Sequence, residues 1–109
     1  MKPDLPAVLA RYYAAQNAHD IDAIVACFAP DAKVRDEGED IIGRDAIRAW
    51  KIKTSAKYRV TAEPIECKNE GERAIVVATV SGTFPGSPAN LTYRFGFSRD
   101  GLIGTLAVS

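Results

Sequence analysis

Apolar residues recur with two different periods along this chain of 109 residues, and the change comes near Lys57. Before that point they mostly recur every three or four positions, which is typical of amphipathic helices. After it they recur every second position, which is typical of strands with one buried face. The pattern predicts two helices, a short strand, a third helix and then four long strands.

The first predicted helix has an apolar stripe with polar residues at its end. We expect Asp4 to cap this helix, with Pro6 in its first turn. Tyr12 is either a packed core aromatic or a residue whose hydroxyl faces a pocket. Gln16 and His19 either lie at the rim, form hydrogen bonds in the core, or line a polar patch of a pocket. The stripe consists of Leu5, Val8, Leu9, Tyr12, Ala15, Gln16 and His19.

Two further helices are predicted by the same spacing. The second begins at its cap residue, Asp20, and carries a stripe that ends at Phe28. The third covers residues 44–56. On it we place Trp50 on the buried side, either in the core or in a cavity wall, and Lys51 on the side that faces water.

The short strand over residues 32–37 places a carboxylate on an apolar face. Ala32, Val34 and Asp36 share one side, while every alternate residue is charged and suits water. Asp36 is either the first acid of a solvated loop at 36–40 or a partly desolvated carboxylate suited to proton abstraction. The alternation of residues leaves both interpretations open.

The four long strands supply most of the predicted sheet. Leu91, Tyr93, Phe95 and Phe97 share one face and form a wall of large side chains. The strand around residues 76–80 is apolar on both faces, which predicts that its outer face meets a second subunit. The predicted ranges are 58–67, 73–84, 90–99 and 102–108.

Helices followed by a meander of antiparallel strands define an α+β fold. The sheet must curl around the three helices to bury their stripes, and a curled sheet closed by helices leaves a conical apolar cavity. Tyr12 and Asp36, if both face that cavity, can polarise and deprotonate a carbonyl compound. The length suits a single domain over residues 1–109.

Composition excludes several classes of function. The formal net charge is +0, from 14 basic and 14 acidic residues, so we expect neither nucleic acid nor a membrane as partner. One histidine and two distant cysteines form no ligand cluster, so we expect no metal, and we expect no other cofactor. The first ten residues lack the apolar core of a signal peptide, and no apolar run reaches membrane-spanning length, which predicts a cytoplasmic protein.

The segment RYYAAQNAHDIDAIVACFAPDAKVRD, residues 11–36, resembles the start of a steroid isomerase of the NTF2-like superfamily, which includes the SnoaL-like polyketide cyclases. The order of elements fits along the whole chain, and the strand region matches mainly in pattern. The resemblance implies an NTF2-like cone, in which a curved antiparallel sheet wraps around three helices and an apolar cavity. The matching residues are Arg11, Tyr12, Ala14, Ala15, Asn17, Asp20, Asp22, Ile24, Val25, Phe28, Ala29, Asp31, Ala32, Val34 and Asp36.

The resemblance also implies the roles of site residues. Tyr12 falls on the family's oxyanion-hole tyrosine, and Asp36 falls on the aspartate that shuttles the proton. Tyr93 stands where the family has a second acid; its phenol still donates a hydrogen bond but narrows the cavity, which argues against steroids. The residues expected to bind the substrate are Gln16, Phe28, Val34, Trp50, Val60, Phe95 and Phe97.

Two functions remain open at this stage. The first is an isomerase or cyclase of a small apolar carbonyl compound, with Asp36 as base and with Tyr12 and Tyr93 as donors to the enolate oxygen. The second is a non-catalytic ligand-binding or dimerisation module of the same fold. Both imply a small apolar ligand, and we expect a homodimer that forms through the sheet. The environment of Asp36 distinguishes them, because a desolvated acid favours the enzyme.

Overall fold

Within residues 3–36 and 38–109, which the computed structural model describes, six strands form one sheet and three helices pack against one of its faces. Glu37, which we placed in the first strand, lies outside the described residues. The helices are α1 (Ala7–Asn17), α2 (Ile21–Ala26) and α3 (Arg44–Tyr58). The strands are β1 (Phe28–Asp36), β2 (Glu39–Ile42), β3 (Thr61–Glu70), β4 (Arg73–Ser81), β5 (Ala89–Phe97) and β6 (Ile103–Val108). The predicted α+β fold, a curved sheet with three helices, is confirmed.

The order of strands in the sheet is β2-β1-β6-β5-β4-β3. Neighbouring strands are antiparallel except β1 and β6, which run parallel with Val34 opposite Leu106. Parallel neighbours need a long crossover connection, and the elements between the two strands supply it. The last residues of both strands, Asp36 and Val108, therefore reach the same end of the sheet.

The core forms between the inner face of the sheet and the helices. Leu9 and Tyr12 of α1 are 0% and 1% exposed, and Phe28 of β1 and Phe95 of β5 are 0% and 2% exposed. The ring centroids of Phe28 and Phe95 each lie 5.8 Å from that of Tyr12, in edge-to-face geometry. These aromatic contacts hold the first helix against the first and fifth strands.

Two helix boundaries near the N-terminus differ from the prediction. Pro6 rather than Asp4 precedes the first helical residue, and within the described residues no side-chain hydrogen bond caps this helix. The fixed φ of proline suits the extended entry to a helix, so a capping side chain is not required there. Phe28, predicted at the end of α2, instead begins β1, because the helix ends at Ala26 and Cys27 is its C-cap residue. The predicted cap at Asp20 is confirmed, since its carboxylate accepts a hydrogen bond from the backbone N–H of Ala23 at 3.1 Å.

The third helix is longer than predicted, and it includes one residue, Tyr58, that we assigned to a strand. It continues to Tyr58, and Arg59 ends it in the left-handed conformation with φ of 47°. The turn after β4 packs against this helix end: the backbone N–H of Thr83 donates to the Tyr58 carbonyl at 2.7 Å. Gly82 permits this approach, because a Cβ there would lie 2.5 Å from the same carbonyl oxygen. In the part of the chain described here, no helix is long and apolar enough to cross a membrane.

Candidate functional site

A cavity of about 470 Å³ lies between the inner face of the sheet and the helices α1 and α3. The turn after β4, with Phe84 and Pro85, contributes to its wall. Six of the predicted site residues line this cavity, so the structure brings them together from five separate parts of the chain. They are Tyr12, Gln16, Asp36, Trp50, Val60 and Tyr93.

Two phenols face the cavity from opposite elements. Tyr12 of α1 is 1% exposed and Tyr93 of β5 is 7% exposed. Burial raises the pKa of Tyr12 well above its ordinary value, and the neighbouring Tyr93 and the Asp36 carboxylate raise it further. The pKa of Tyr93 is raised by burial first and by Asp36 second. Both groups therefore stay protonated near neutral pH and are available as hydrogen-bond donors.

Asp36 is the last residue of β1, is half-buried, and shares the inner face with Val34. Its Oδ2 accepts a hydrogen bond from the indole Nε1 of Trp50 at 3.0 Å. Because an indole N–H only donates, this contact fixes the carboxylate as an acceptor at the edge of the cavity. Its charge acts on Tyr12, Tyr93 and Lys51, which places all three within electrostatic reach of the acid.

Lys51 is buried in the cavity wall, so its predicted position on the water-facing side of α3 is wrong. Lys51 and Gln16 are each 6% exposed. The Nζ of Lys51 donates to Oε1 of Gln16 at 2.5 Å, and Nε2 of Gln16 donates to the carbonyl of Val60 at 3.3 Å. The same Nζ lies 4.3 Å from the ring centroid of Trp50 and 5.2 Å from that of Tyr12. An amide oxygen and two aromatic faces therefore surround the amine.

Burial lowers the pKa of Lys51 from 10.5 to about 7, and the Asp36 carboxylate opposes this effect only in part. Desolvation disfavours the charged ammonium, which explains the direction. At neutral pH a large fraction of this side chain is therefore the neutral amine. An amine of this kind is able to act as a nucleophile or as a proton acceptor.

Four residues that we expected to contact the substrate do not line the cavity. Phe28 and Phe95 pack edge-to-face on the ring of Tyr12, and Val34 is 0% exposed within the core. Phe97 is half-buried near the far end of β5. The helices cover this part of the sheet directly, so these side chains fill the core instead of bordering open space.

Two further sequence predictions concern polar residues at the end of α1. His19 is exposed and lies beyond the helix, with φ of 55°, so it takes the rim position that we considered. Gln16 is buried and hydrogen-bonded, and it also lines the cavity. Gln16 therefore fits two of the three alternatives at once: it is hydrogen-bonded in the core, and it supplies a polar group to the wall of the cavity.

The cavity residues missed from α3 follow a regular signal in the sequence. The lining residues Lys51, Thr54 and Tyr58 occur at i+4, i+7 and i+11 from the core residue Ile47, which is one face of a helix. We did not assign this stripe because it contains a lysine and a threonine, and because we ended the helix before Tyr58. The other missed lining residues are Val80, Phe84, Pro85, Leu91 and Val108.

Comparison with known proteins agrees with this architecture. Residues 9–103 match the family model of the SnoaL-like domain. A candidate polyketide cyclase from Sinorhizobium meliloti is 42% identical, with a TM-score of 0.93 over 97% of this chain and 96% of that chain. SalBIII, an epoxide hydrolase/cyclase-like enzyme with a role in pyran ring formation in salinomycin, is 25% identical. The two structures match with a TM-score of 0.81 over 93% of this chain and 85% of that chain.

A protein from Catenulispora acidiphila with a ketosteroid isomerase-like fold is similar in fold, with a TM-score of 0.85 at 21% identity over 97% of this chain and 86% of that chain. A search of curated proteins found no match. The family match covers most of the chain, and the structures agree with it over nearly the full length. The chain therefore belongs to the SnoaL-like domain family of the NTF2-like superfamily and has the fold of its cyclases and isomerases.

Proposed function

We propose that this protein catalyses proton transfer at the carbon next to the carbonyl group of a small apolar molecule, and that this step leads to isomerisation or cyclisation. One observation carries the proposal. The Asp36 carboxylate is fixed by Trp50 at the edge of a cavity that also contains the phenols of Tyr12 and Tyr93. A base and two neutral donors at one cavity are the groups that enolate chemistry requires.

In the proposed reaction Asp36 removes the proton and negative charge moves to the carbonyl oxygen. Tyr12 and Tyr93 donate hydrogen bonds to that oxygen, and their raised pKa values keep them from losing their protons to the base. Return of the proton from Asp36 to a different carbon completes an isomerisation. In an aldol cyclisation the enolate carbon instead attacks a second carbonyl group of the same molecule, and the alkoxide that forms takes the proton back from Asp36.

The lining of the cavity supports an apolar substrate of modest size. Val60, Leu91 and Val108 form part of the wall, and the volume of about 470 Å³ suits a small organic molecule. Two of the similar structures are a candidate polyketide cyclase and an epoxide hydrolase/cyclase-like enzyme. Their descriptions support cyclisation as the outcome of the proton transfer.

Replacing Tyr12 by phenylalanine is expected to slow the reaction roughly 100-fold, because one preorganised donor to the enolate oxygen is lost. The measurement is the rate of deuterium incorporation from D₂O into a panel of small ketones and β-keto esters, followed by NMR. The volume of the side chain changes little, so the fold should persist.

Tyr13 offers a matched control. It is the next residue of the same helix and is 3% exposed, its hydroxyl has no hydrogen-bond partner in the described structure, and it does not line the cavity. Tyr13→Phe should leave the exchange rate unchanged. Equal rates in both variants would show that Tyr12 is a packing residue. If the unmodified protein binds these ketones but exchanges none of them, the non-catalytic binding module becomes the better description.

We also propose that the protein is a homodimer that forms through the outer face of the sheet. Ile75 and Val77 of β4 point to that face and are only half-buried in a single chain. On the same face, basic residues lie toward β1 and β5, where Asp40 of β2 forms salt bridges with two of them, and the residues along β3 are mainly acidic. Two copies related by a two-fold axis can therefore place the basic side of one against the acidic side of the other. The basic residues include Lys33, Arg35 and Arg94, and the acidic residues are Glu63, Glu66 and Glu70.

Val77→Glu tests this assembly. A two-fold interface would bury two uncompensated carboxylates near its centre, so we expect dimerisation to weaken on the order of 100-fold. Light scattering across micromolar concentrations measures the effect. Ala26→Glu adds the same charge at an exposed position on α2 and should leave the dimer intact. A monomeric parent protein at these concentrations would refute the assembly.

A further inference from the structure

We propose that the side-chain amine of Lys51 forms a covalent imine with aldehydes or ketones that occupy the cavity. The inference deepens the proposed function, on which it rests for the class of substrate: a carbonyl compound. It adds a nucleophile to a site that otherwise contains a base and two hydrogen-bond donors. The observations that carry it are the position of the amine, the identity of its neighbours and the absence of an acid paired with it.

Among the residues that the structure describes, the amine in the cavity wall has no ionic partner. Lys33 and Lys68, which are exposed, each form a salt bridge with a carboxylate. Lys51 forms none with any residue in the ranges 3–36 and 38–109, although Asp36 contributes to the same cavity. A carboxylate in direct contact would hold the ammonium in its charged form, and here that constraint is missing.

The neighbours of the amine tolerate its neutral form. A neutral amine retains a hydrogen to donate to Oε1 of Gln16, so the 2.5 Å contact persists after deprotonation. Gln16 is itself held by the carbonyl of Val60, which keeps its oxygen directed at Lys51. The nitrogen lone pair is then free to point into the cavity. Burial, which lowers the pKa of Lys51 to about 7, makes this form abundant at neutral pH.

The other titratable groups around this nitrogen come from four elements. Tyr12 faces it from α1, Asp36 acts on it from β1, and Tyr93 lies in the same cavity wall on β5. Tyr58, on α3 itself, also lines the cavity. Asp36 is the acid among them, and it opposes the loss of the proton from Lys51.

The chemistry proceeds by addition and loss of water. The lone pair of Nζ attacks the carbonyl carbon, a C–N bond forms, and the electron pair of the C=O π bond moves to oxygen. Transfer of a proton from nitrogen to oxygen gives a carbinolamine, whose oxygen the phenols of Tyr12 and Tyr93 can hydrogen-bond. The C–O bond then breaks, water leaves with both hydrogens of the neutral amine, and a C=N bond remains. The imine nitrogen then takes up a proton from solvent, and removal of a neighbouring C–H proton by Asp36 converts this protonated imine into an enamine.

The test uses the intact protein and two probes. A small 1,3-diketone forms a stable conjugated enaminone with a reactive lysine, and small apolar aldehydes are trapped as secondary amines by sodium cyanoborohydride. Intact-mass measurement should show one diketone added with loss of one water. Peptide mapping should place the adduct on Lys51, with a labelling rate that rises with pH through about 7. No adduct, or adducts spread over the exposed lysines alone, would overturn the proposal.

Lys53 supplies the matched control, since it lies two residues along the same helix and is exposed. Lys51→Arg should abolish labelling while keeping a cation, and Lys53→Arg should leave it unchanged. Mapping of the parent protein decides the question even if a variant fails to fold. Deuterium exchange that persists without labelling would refute the imine and leave the proposed function standing. Labelling of Lys51 without any exchange would support the imine and refute the proposed proton transfer, including the role of Asp36 as its base.

Discussion

Asp36→Asn is expected to reduce deuterium incorporation into small ketones by a factor of about 10²–10⁴, the usual contribution of a general base. An amide cannot accept the proton that the carboxylate removes. Its carbonyl oxygen can still accept the hydrogen bond from Nε1 of Trp50, so the local structure should survive. The measurement is the exchange rate in D₂O at constant protein concentration, with the circular dichroism spectrum as a check of folding.

Glu39→Gln is the control for Asp36→Asn. Glu39 lies opposite Asp36 in the pairing of β1 with β2, and its side chain is exposed and does not line the cavity. Removal of its charge should leave exchange unchanged. If Asp36→Asn retained the parent rate, Asp36 would be only the first acid of a solvated turn, and the proposed base would be wrong.

Lys51→Met is expected to increase the free energy of unfolding below about pH 7, by on the order of 2–4 kcal/mol. Burial lowers the pKa of Lys51 from 10.5 to about 7, so protonation of the folded state costs free energy. One pKa unit corresponds to about 1.4 kcal/mol, and loss of the hydrogen bond to Gln16 offsets about 1 kcal/mol of the gain. Methionine has a similar shape and no charge to desolvate.

The dependence on pH has a definite sign. Below about pH 7 Lys51 is protonated in both the folded and the unfolded state, so the full cost of burying the charge is present. Between about 7 and 10.5 the unfolded chain binds a proton that the folded chain does not, and the stability of the parent protein therefore rises with pH. The advantage of the methionine variant should shrink over the same range.

Urea unfolding at a series of pH values between about 6 and 10 measures this difference. Lys53→Met is the reference, since Lys53 is exposed and its replacement should give a small effect that does not follow this pH profile. If Lys51→Met were less stable than the parent at every pH, the contacts of the ammonium with Gln16 and the aromatic rings would outweigh its desolvation.

The fold and part of the site could be predicted because they depend on periodicity. The alternation of apolar and charged residues in the first strand predicted that Asp36 lies on the same face as Val34. The helical spacing of apolar residues predicted that Tyr12 lies on the same stripe as Leu9. Both placements agree with the structure. Side-chain direction follows from the backbone repeat alone, so it needs no knowledge of tertiary contacts. Tyr93 came from the resemblance and also lines the cavity.

Which side chains border the cavity, and the burial of Lys51, depend on tertiary packing that no local sequence pattern encodes. Phe95 and Tyr93 share a face of β5, yet one fills the core and the other borders the cavity, because the helices cover only part of the sheet. Lys51 was assigned to water from its residue type. Its aliphatic stem allows burial when an amide and an aromatic face receive the nitrogen. Two of those partners, Gln16 and Tyr12, lie on α1, and Gln16 is 35 residues away in the chain.

Trp50 has a consequence for how this cavity can be observed. It is the only tryptophan in the chain, and it forms part of the cavity wall. Its indole nitrogen contacts Asp36, while the nitrogen of Lys51 lies 4.3 Å from its ring centroid. Intrinsic fluorescence excited at the red edge of the absorption band therefore comes from this one position. Because the charged groups of Asp36 and Lys51 lie beside the ring, we expect its emission to change with their protonation and with occupancy of the cavity by the proposed ligand.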